Sequence, residues 1–288
     1  MAAGLQAETG VRGVAGQHVV ARLRHALPGL TPALARIASR ILAAPNAILA
    51  LTITELAEQS GGSESAVIRL CRELGFGGFQ DIKLALAMEM VAGGAEAAQF
   101  GGDAIDRMAG EGARALSDTA KLLDRKALAL AAERLAGARH IHLFGVGASA
   151  VTCGYLAYKL ARLGLRALVH ADAHLAAMHC ATATPEDVFI VVSSTGSTID
   201  PVTAARSARN GGSFVVAITN RSRSPLASAC DIALLAAAPE TPLTGGAYAS
   251  KISQLLIADA LSAQLAELRP GLAAQIARTA ASVSERSF

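Results

Sequence analysis

Residues 187–200 read DVFIVVSSTGSTID, in which an unbroken apolar run is followed at once by hydroxyl side chains and one glycine. A short apolar run that ends at a turn is typical of a strand buried on both faces of a parallel sheet. The next residues, SSTGST from Ser193 to Thr198, contain none of the Asn, Asp or Pro that solvated turns usually include. Hydroxyls and approachable backbone N–H groups are suited to an anion. The stretch therefore predicts a buried strand that ends in an anion-binding loop; the alternative is a turn whose hydroxyls only cap the next helix.

The same alternation of strand and helix continues through the C-terminal half of the chain. The strand-like segments IHLFGVG, ALVHA, FVVAITN and DIALLAA are separated by Ala-rich helical stretches. Strands that alternate with helices and read as continuous apolar runs indicate a parallel sheet covered on both faces. We therefore predict an α/β fold with three αβα layers, closed by a helix from about Ser250 to Leu268.

A second loop follows the strand segment IHLF and contains Gly145, Gly147 and Ser149 at the start of a helical stretch. Backbone N–H groups at such a helix start can contact a phosphate. The spacing G-x-G-x-x-A also fits a dinucleotide-binding fingerprint, with Asp172 as the ribose ligand. Because the carboxyl ends of parallel strands meet at one edge, this loop and SSTGST are expected to converge on one ligand. Two such loops fit a compact phosphorylated polyol better than a dinucleotide.

The first third of the chain has helical periodicity and contains a helix-turn-helix pattern in ITELAEQSGGSESAVIRLCRELGF, residues 53–76. Thr52 and Glu55 have the spacing of a capping box at the start of a helix. Two glycines, Gly61 and Gly62, follow and permit a sharp turn, and Ser63 is a natural N-cap for a second helix. The pattern predicts a DNA-binding helix-turn-helix, and the alternative is an ordinary pair of helices with a solvated face.

A second helix that enters a major groove would present its N-terminal residues to base edges or phosphates. Residues 1–90 contain eight Arg and Lys against seven Asp and Glu, so total charge does not favour DNA binding. Affinity would have to come from local placement and from dimerisation. The residues expected to contact DNA are Ser63, Glu64, Ser65, Arg69, Arg72 and Lys83.

Composition excludes several other classes of protein. Aromatic residues make up 3% of the chain and there is no Trp, so stacking of bases on exposed rings is not expected. The four cysteines are far apart and form no C-x-x-C pair, which argues against a disulfide framework or a zinc site of cysteines and fits a reducing cytoplasm. The start has no signal-peptide pattern and no apolar run is long enough to span a bilayer. We expect a cytoplasmic protein that does not contact a membrane.

The segment HADAHLAAMH, residues 170–179, places Asp172, His174 and His179 close together. Since it follows a predicted strand at the ligand edge, we expect no metal there and treat His174 as a polar contact. Catalysis is also not expected, because no G-x-S-x-G elbow is present and no acid–base pair adjoins SSTGST, where Asp200 is followed directly by Pro201. We therefore expect no enzymatic activity and no cofactor.

The stretches FGVGASA, YKLARLG, DVFIVVSSTGSTID, AITNRSRSPLASACDIAL and YASKISQLLIADAL resemble a sugar isomerase (SIS) domain. With the helix-turn-helix segment before them, the chain is similar to RpiR-type transcriptional regulators from about residue 17 to 265. The resemblance implies a homodimeric or homotetrameric regulator that binds double-stranded operator DNA, with an affinity that a phosphorylated sugar modulates. The alternatives are an SIS-type phosphosugar isomerase and a dinucleotide-binding protein. The ligand residues so implied are Gly147, Ser149, Ser193, Ser194, Thr195, Gly196, Thr198 and Ser250.

The chain departs from the family pattern at two places. Gly62 stands where the family often has a hydrophobic residue, and LTGGAYASK lacks an arginine that often precedes the last helix, for which Thr244 is no substitute. The expected domains are a tail (1–16), a helix-turn-helix domain (17–92), a linker (93–110), an SIS domain (111–268) and a helical tail (269–288).

Overall fold

The computed structural model describes residues 19–92, 103–238, 240 and 248–284. Contacts divide these residues into a helical unit that ends before residue 97 and an α/β unit that follows it. The predicted tail 1–16, most of the predicted linker, Thr244 and the last four residues lie outside the described residues.

The helical unit is built around one apolar core, to which Leu23, Ile37, Leu56, Leu70 and Ile82 contribute fully buried side chains. Proline at the first position of α3 explains why α2 ends before it, since proline removes an intrahelical donor. The elements are α1 (Val19–Ala26), a 3₁₀ turn (Leu27–Gly29), α2 (Pro32–Ala43), α3 (Pro45–Ala50), α4 (Ile53–Gln59), α5 (Glu64–Glu73) and α6 (Phe79–Ala92).

The helix-turn-helix has the local structure that the sequence predicts. The Thr52 hydroxyl accepts a hydrogen bond from Glu55 N, and the Glu55 carboxylate accepts one from Thr52 N, which forms the capping box at the start of α4. Gly61 turns the chain with φ of 61°, and the Ser63 hydroxyl accepts from Ala66 N at the start of α5. Each of these three predictions is confirmed.

The α/β unit contains a five-stranded, all-parallel sheet with the strand order β2-β1-β3-β4-β5. Its strands are β1 (His140–Phe144), β2 (Ala167–Val169), β3 (Asp187–Val192), β4 (Phe214–Thr219) and β5 (Ile232–Leu235). Its helices are α7 (Ala104–Leu122), α8 (Arg125–Gly137), α9 (Ala148–Arg162), α10 (Ala173–Ala181), α11 (Ile199–Asn210), α12 (Pro225–Ala229), α13 (Tyr248–Leu268) and α14 (Pro270–Ser284). The predicted α/β class and parallel sheet are confirmed.

Alternate residues of the strands pack into two separate apolar clusters, one on each face of the sheet. Ile190 belongs to the cluster that includes α8, α9 and α13, whereas its neighbours Phe189 and Val191 belong to the cluster that includes α10, α11 and α12. Burial on both faces is why the strands read as unbroken apolar runs.

The strand order fixes the position of a crevice. The chain leaves β1 towards β2 at one end of the order and leaves β3 towards β4 at the other, so the order reverses between these adjacent strands. Ligands of open α/β sheets bind at such a switch point, outside the carboxyl ends of the strands. The loops after β1 and β3 meet at this position.

Helix α7 begins at Ala104, so residues 104–110, which the sequence assigns to a linker, belong to a regular element of the α/β unit. The Asp103 carboxylate caps this helix by accepting from Ile105 N and Asp106 N. Glycines weaken the helical pattern of the sequence here, yet one of them has a packing role. A Cβ on Gly112 would lie 2.9 Å from Ile252 Cδ1 and 3.0 Å from Tyr248 Cε1, so glycine permits the close approach of α13. None of the helices in the described ranges could cross a membrane.

Candidate functional site

A cleft of about 140 Å³ lies at the carboxyl edge of the sheet, at the switch point between β1 and β3. The loop after β1, the loop after β3, the residues after β5 and the start of α13 all contribute to it. Its lining residues are Val146, Ala148, Ser149, Val192, Ser193, Ser194, Thr195, Thr198, Glu240 and Lys251.

The hydroxyl loop after β3 holds its shape through its own hydrogen bonds. The Ser193 hydroxyl accepts from Gly196 N at 3.2 Å and lies 3.3 Å from the Thr198 hydroxyl. Gly196 adopts φ of 61°, and a Cβ at this position would overlap the Ser224 side chain. Glycine is therefore required for both the backbone conformation and the packing.

Two helices direct their N-termini to the cleft, and their caps differ from those of four other helices in this unit. The side chains of Asp103, Asp124, Asp172 and Ser224 cap α7, α8, α10 and α12. In contrast, the N-cap residues of α9 and α11 are Gly147 and Thr198, and neither residue makes a side-chain cap hydrogen bond within the described part of the chain. Uncapped helix N-termini favour an anion, because their N–H groups and the helix dipole both attract negative charge.

Lys251 brings a positive charge into the cleft and was missed by the sequence prediction. Its side chain is 14% exposed, and its ammonium donates to Ser194 Oγ and Gln254 Oε1, each at 2.9 Å. Burial lowers the pKa of Lys251, although the carboxylate of Glu240 at 4.0 Å acts in the opposite direction. The lysine remains the cationic group nearest the hydroxyl loop among the residues that line the cleft.

Glu240 is the second residue that the sequence prediction missed. Its side chain is 6% exposed, and Oε1 has no hydrogen-bond partner among the described residues. A buried carboxylate oxygen without a donor is costly, so it is available to accept from a ligand. The prediction from the sequence concerned acid–base pairs beside the hydroxyl loop and did not consider this single carboxylate, which lines the same cleft.

A buried polar network supports the lysine from behind. Gln254 Nε2 donates to Ser194 Oγ and to Asn220 Oδ1, each at 3.0 Å. Asn220 Nδ2 in turn donates to Ser250 Oγ at 3.0 Å, and Ser250 is 1% exposed. Because its hydroxyl is engaged in this network, Ser250 supports the cleft rather than lining it.

The structure brings most of the predicted ligand residues together. Five of them line the cleft, whereas Gly147 and Gly196 shape the two loops and Ser250 lies behind. His174 is exposed on α10 and is not among the lining residues. Asp172, the ribose ligand of the dinucleotide interpretation, accepts from Leu175 N and serves as the α10 cap. The five lining residues are Ser149, Ser193, Ser194, Thr195 and Thr198.

Four of the six predicted DNA contacts are exposed on one short stretch of the helical unit: Ser63, Ser65, Arg69 and Arg72. Glu64 is half-buried, and its carboxylate accepts a hydrogen bond from the Thr54 hydroxyl of α4. The Arg69 guanidinium pairs with Glu73 at 3.2 Å, and this arginine side chain is 65% exposed. An exposed ion pair of this kind is weak enough to exchange for a phosphate or a base.

The prediction for Lys83 does not fit its position. Lys83 is 4% exposed, its ammonium donates to Leu51 O at 2.9 Å, and it lies 5.5 Å from the centre of the Phe79 ring. A side chain held in this way stabilises the packing of α6 under α3 and does not reach a DNA phosphate. Helical periodicity could have signalled this burial, because Ile82 and Leu86 lie on the same part of α6.

Two families match the chain. Residues 17–93 match the helix-turn-helix domain of the rpiR family, and residues 134–263 match the SIS domain. An HTH-type transcriptional regulator of Caldanaerobacter subterraneus is 32% identical over 249 residues, which cover 84% of this chain and 88% of the relative. The HTH-type transcriptional regulator HexR of Pseudomonas aeruginosa is 32% identical over 252 residues, which cover 85% of this chain and 88% of HexR.

A solved structure extends the likeness to nearly the whole chain. The NanR protein of Vibrio vulnificus, in complex with ManNAc-6P, has 39% sequence identity and a TM-score of 0.87. The match covers 93% of this chain and 99% of that one.

Proposed function

Because this chain belongs to the RpiR family of HTH-type transcriptional regulators, we propose that its SIS domain binds a phosphorylated sugar that modulates the affinity of the helix-turn-helix domain for operator DNA. The observation that carries the proposal is the cleft at the switch point. It combines hydroxyl side chains, two uncapped helix N-termini and a buried lysine. This combination matches a phosphate group better than any neutral ligand.

The phosphate would occupy the part of the cleft between the two loops. Hydroxyls of Ser149, Ser193, Thr195 and Thr198 would donate to its oxygens, and the first-turn amides of α9 and α11 would add further donors. Lys251 would supply the positive charge. It offers the cationic group that the family often provides as an arginine before the last helix, although as a point charge rather than a planar fork.

The sugar would extend towards Glu240, whose Oε1 has no hydrogen-bond donor among the described residues and can accept from a hydroxyl or an amide N–H. NanR of Vibrio vulnificus was solved with ManNAc-6P, a phosphorylated N-acetylated amino sugar, and it is 39% identical to this chain. We therefore propose the N-acetylhexosamine 6-phosphates as the first effector class to test.

The DNA contacts would come from α5, with Ser63 and Ser65 at its start and Arg69 and Arg72 along its exposed face. We propose that the chain acts in the cytoplasm as a homodimer or homotetramer that presents paired recognition helices to two half-sites. An effector that binds two arrangements of the oligomer unequally shifts their populations and so changes the affinity for DNA.

The experiment uses the full chain. Fluorescence anisotropy measures its binding to labelled DNA from upstream of its own gene, and calorimetric titration measures its binding to ManNAc-6P. Arg69→Ala is expected to weaken DNA binding by about 1–3 kcal/mol and to leave effector binding unchanged. The double variant Ser193→Ala with Thr195→Ala is expected to do the reverse. Glucose 6-phosphate and unphosphorylated ManNAc serve as controls for the sugar and for the phosphate.

Two results would contradict the proposal. If Arg69→Ala abolished both activities, the residue would have a structural role and not a DNA-contacting one. If no phosphorylated sugar bound to the wild-type chain at millimolar concentration, or if the double variant responded normally, the cleft would not be the effector site.

Glu240 favours a second candidate, an SIS-type isomerase, because a buried carboxylate beside a bound sugar phosphate can move a proton between neighbouring carbons. The purified chain is expected to show no interconversion of aldose and ketose phosphates, including the hexosamine phosphates. Turnover that Glu240→Gln abolishes would establish the isomerase instead. This assay is independent of the DNA measurements, so the two candidates can be told apart.

A further inference from the structure

Three imidazole rings and one carboxylate gather towards the opposite end of the sheet from the cleft between β1 and β3. His140 is the first residue of β1 and Asp187 is the first residue of β3, so both lie at the amino edge. His142 follows on β1, and His179 comes from α10 above it. These four residues line a second cleft of about 280 Å³.

The ligand-forming atoms are already close to one another. His140 Nδ1 lies 2.8 Å from Asp187 Oδ1. One such atom each from His140, His142 and Asp187 all lie within 4.8 Å of each other. Bonds of about 2.0–2.1 Å to a tetrahedral ion place neighbouring ligand atoms about 3.3 Å apart. Side-chain movements of less than about 1 Å would therefore close the group around an ion.

Hydrogen bonds behind these side chains orient them. Asp187 Oδ2 accepts from Thr184 N at 2.9 Å and from the Thr184 hydroxyl at 2.8 Å, which leaves Oδ1 to face His140. His142 Nδ1 lies 3.1 Å from His170 Nε2, and the His142 ring stacks on Phe189 with 4.4 Å between centroids. The remaining nitrogen of His142, Nε2, is therefore held in a defined direction. A carboxylate that is itself held by hydrogen bonds, as Asp187 is by Thr184, is typical of metal sites.

One further imidazole ring, that of His179 on α10, lies nearby. The His179 ring lies 5.0 Å from the His142 ring between centroids, and it borders the same cleft. Arg139 also borders this cleft, but its guanidinium lies 3.6 Å from the carboxylate of Glu186, which offsets its repulsion of a cation.

We propose that this cluster binds one divalent transition-metal ion of the zinc type, with His140, His142 and Asp187 as ligands and His179 as the fourth. Imidazole nitrogens favour zinc and its neighbours over calcium and magnesium, which prefer oxygen ligands. The ion would fasten α10 to β1 and β3. The sequence brings His179 close to Asp172 and His174, but in the structure Asp172 caps α10 and His174 is exposed. The proposed ligands are therefore a different set.

The test uses the full chain without a histidine tag, stripped by dialysis against a chelator. Titration with Co²⁺ is expected to give the visible absorption of a tetrahedral site, with about one ion bound per chain, and Zn²⁺ is expected to abolish that absorption by displacement. Zn²⁺ should also raise the temperature of thermal unfolding, since an ion that binds only the folded state stabilises it.

His140→Gln and Asp187→Asn are expected to weaken Co²⁺ binding by at least about tenfold. His174→Ala is the matched control, because it removes an exposed histidine of α10 and should leave the affinity unchanged. His140 is 45% exposed, so its replacement is not expected to unfold the chain, and the far-ultraviolet circular dichroism spectrum checks this.

Three outcomes would overturn the proposal: a wild-type chain that shows no Co²⁺ absorption and no stabilisation by Zn²⁺, a folded His140→Gln chain that binds as tightly as the wild type, or an equal loss in His174→Ala. Effector binding at the other edge does not enter this test, so its result is independent of the proposed function.

Discussion

The turn between α4 and α5 and the cleft between β1 and β3 differ in one respect. The residues that form the turn are close together in the sequence, whereas those that line the cleft are far apart. In the turn, Gly61 and Ser63 act on neighbours within three residues, and Arg36 reaches in from a distance by donating to Ser60 O and Gly61 O. In the cleft, Ser149 meets Lys251 across about a hundred residues of chain. Local rules of capping and backbone conformation therefore specify most of the turn, whereas the cleft depends on the sheet order.

The largest expected effect within this comparison belongs to Gly196→Ala in the hydroxyl loop. Positive φ costs alanine about 1–2 kcal/mol, and the overlap with Ser224 adds about 1–3 kcal/mol. The free energy of unfolding of the α/β unit, measured in urea, should fall by the sum of the two. Gly154→Ala is the control, since Gly154 is an exposed position in α9 with no neighbour to a new Cβ and should gain about 0.5–1 kcal/mol. Equal effects of the two changes would show that the loop is not held as described.

The second effect concerns Lys251, which joins the cleft from α13. Lys251→Met should remove a charge-assisted hydrogen bond to the phosphate and weaken effector binding by about 1.5–3 kcal/mol, or roughly 10- to 150-fold. Calorimetric titration of ManNAc-6P measures the change. DNA binding without effector should stay the same, because Lys251 belongs to the α/β unit. An unchanged effector affinity would show that Lys251 does not bind the phosphate.

The pH dependence of effector binding tests whether the positive charge of Lys251 contributes to that binding. Burial lowers the pKa of Lys251, so its ammonium loses its proton at a lower pH than an exposed lysine. The phosphate is a dianion above about pH 7 and does not change further. Effector affinity should therefore fall as the pH rises into the alkaline range, before an exposed lysine would titrate. Lys251→Arg keeps its charge and should give a flat profile over the same range. A flat profile in the wild type would contradict the role of the lysine charge.

Particular residues show what the sequence could and could not predict. The five strands and the capping box follow from patterns within a few residues, and they were predicted correctly. Lys251 and Glu240 lie outside any such pattern, since one is on an Ala-rich helix and the other follows the last strand. The polar residues buried on α13 were a usable signal, because Ser250 and Gln254 are hydrogen-bonded into the polar network behind the cleft.

Lys83 and the start of α7 are positions at which local sequence patterns gave the wrong prediction. From the sequence, a lysine close to the helix-turn-helix was interpreted as a phosphate contact. Only the packing of α6 against α3 shows that the Lys83 ammonium is buried and donates to Leu51 O. Likewise, Gly112 lowers the helical propensity of α7, and only the approach of Tyr248 and Ile252 explains the glycine. In both cases the information lies in a partner element distant in sequence.

The smallest expected effect concerns the turn between α4 and α5, where two adjacent glycines can be replaced in turn. Gly61→Ala should cost about 1–2 kcal/mol in the unfolding free energy of the helical unit, because Gly61 has φ of 61°. Gly62→Ala should change it by less than about 0.5 kcal/mol, since Gly62 has no positive φ and a Cβ would lie 3.4 Å from Ile37 Cδ1, an ordinary contact. Urea unfolding of the two variants measures the difference, and DNA binding by Gly62→Ala should match the wild type. If the two glycines proved equally sensitive, the turn would not be specified by the conformation of Gly61.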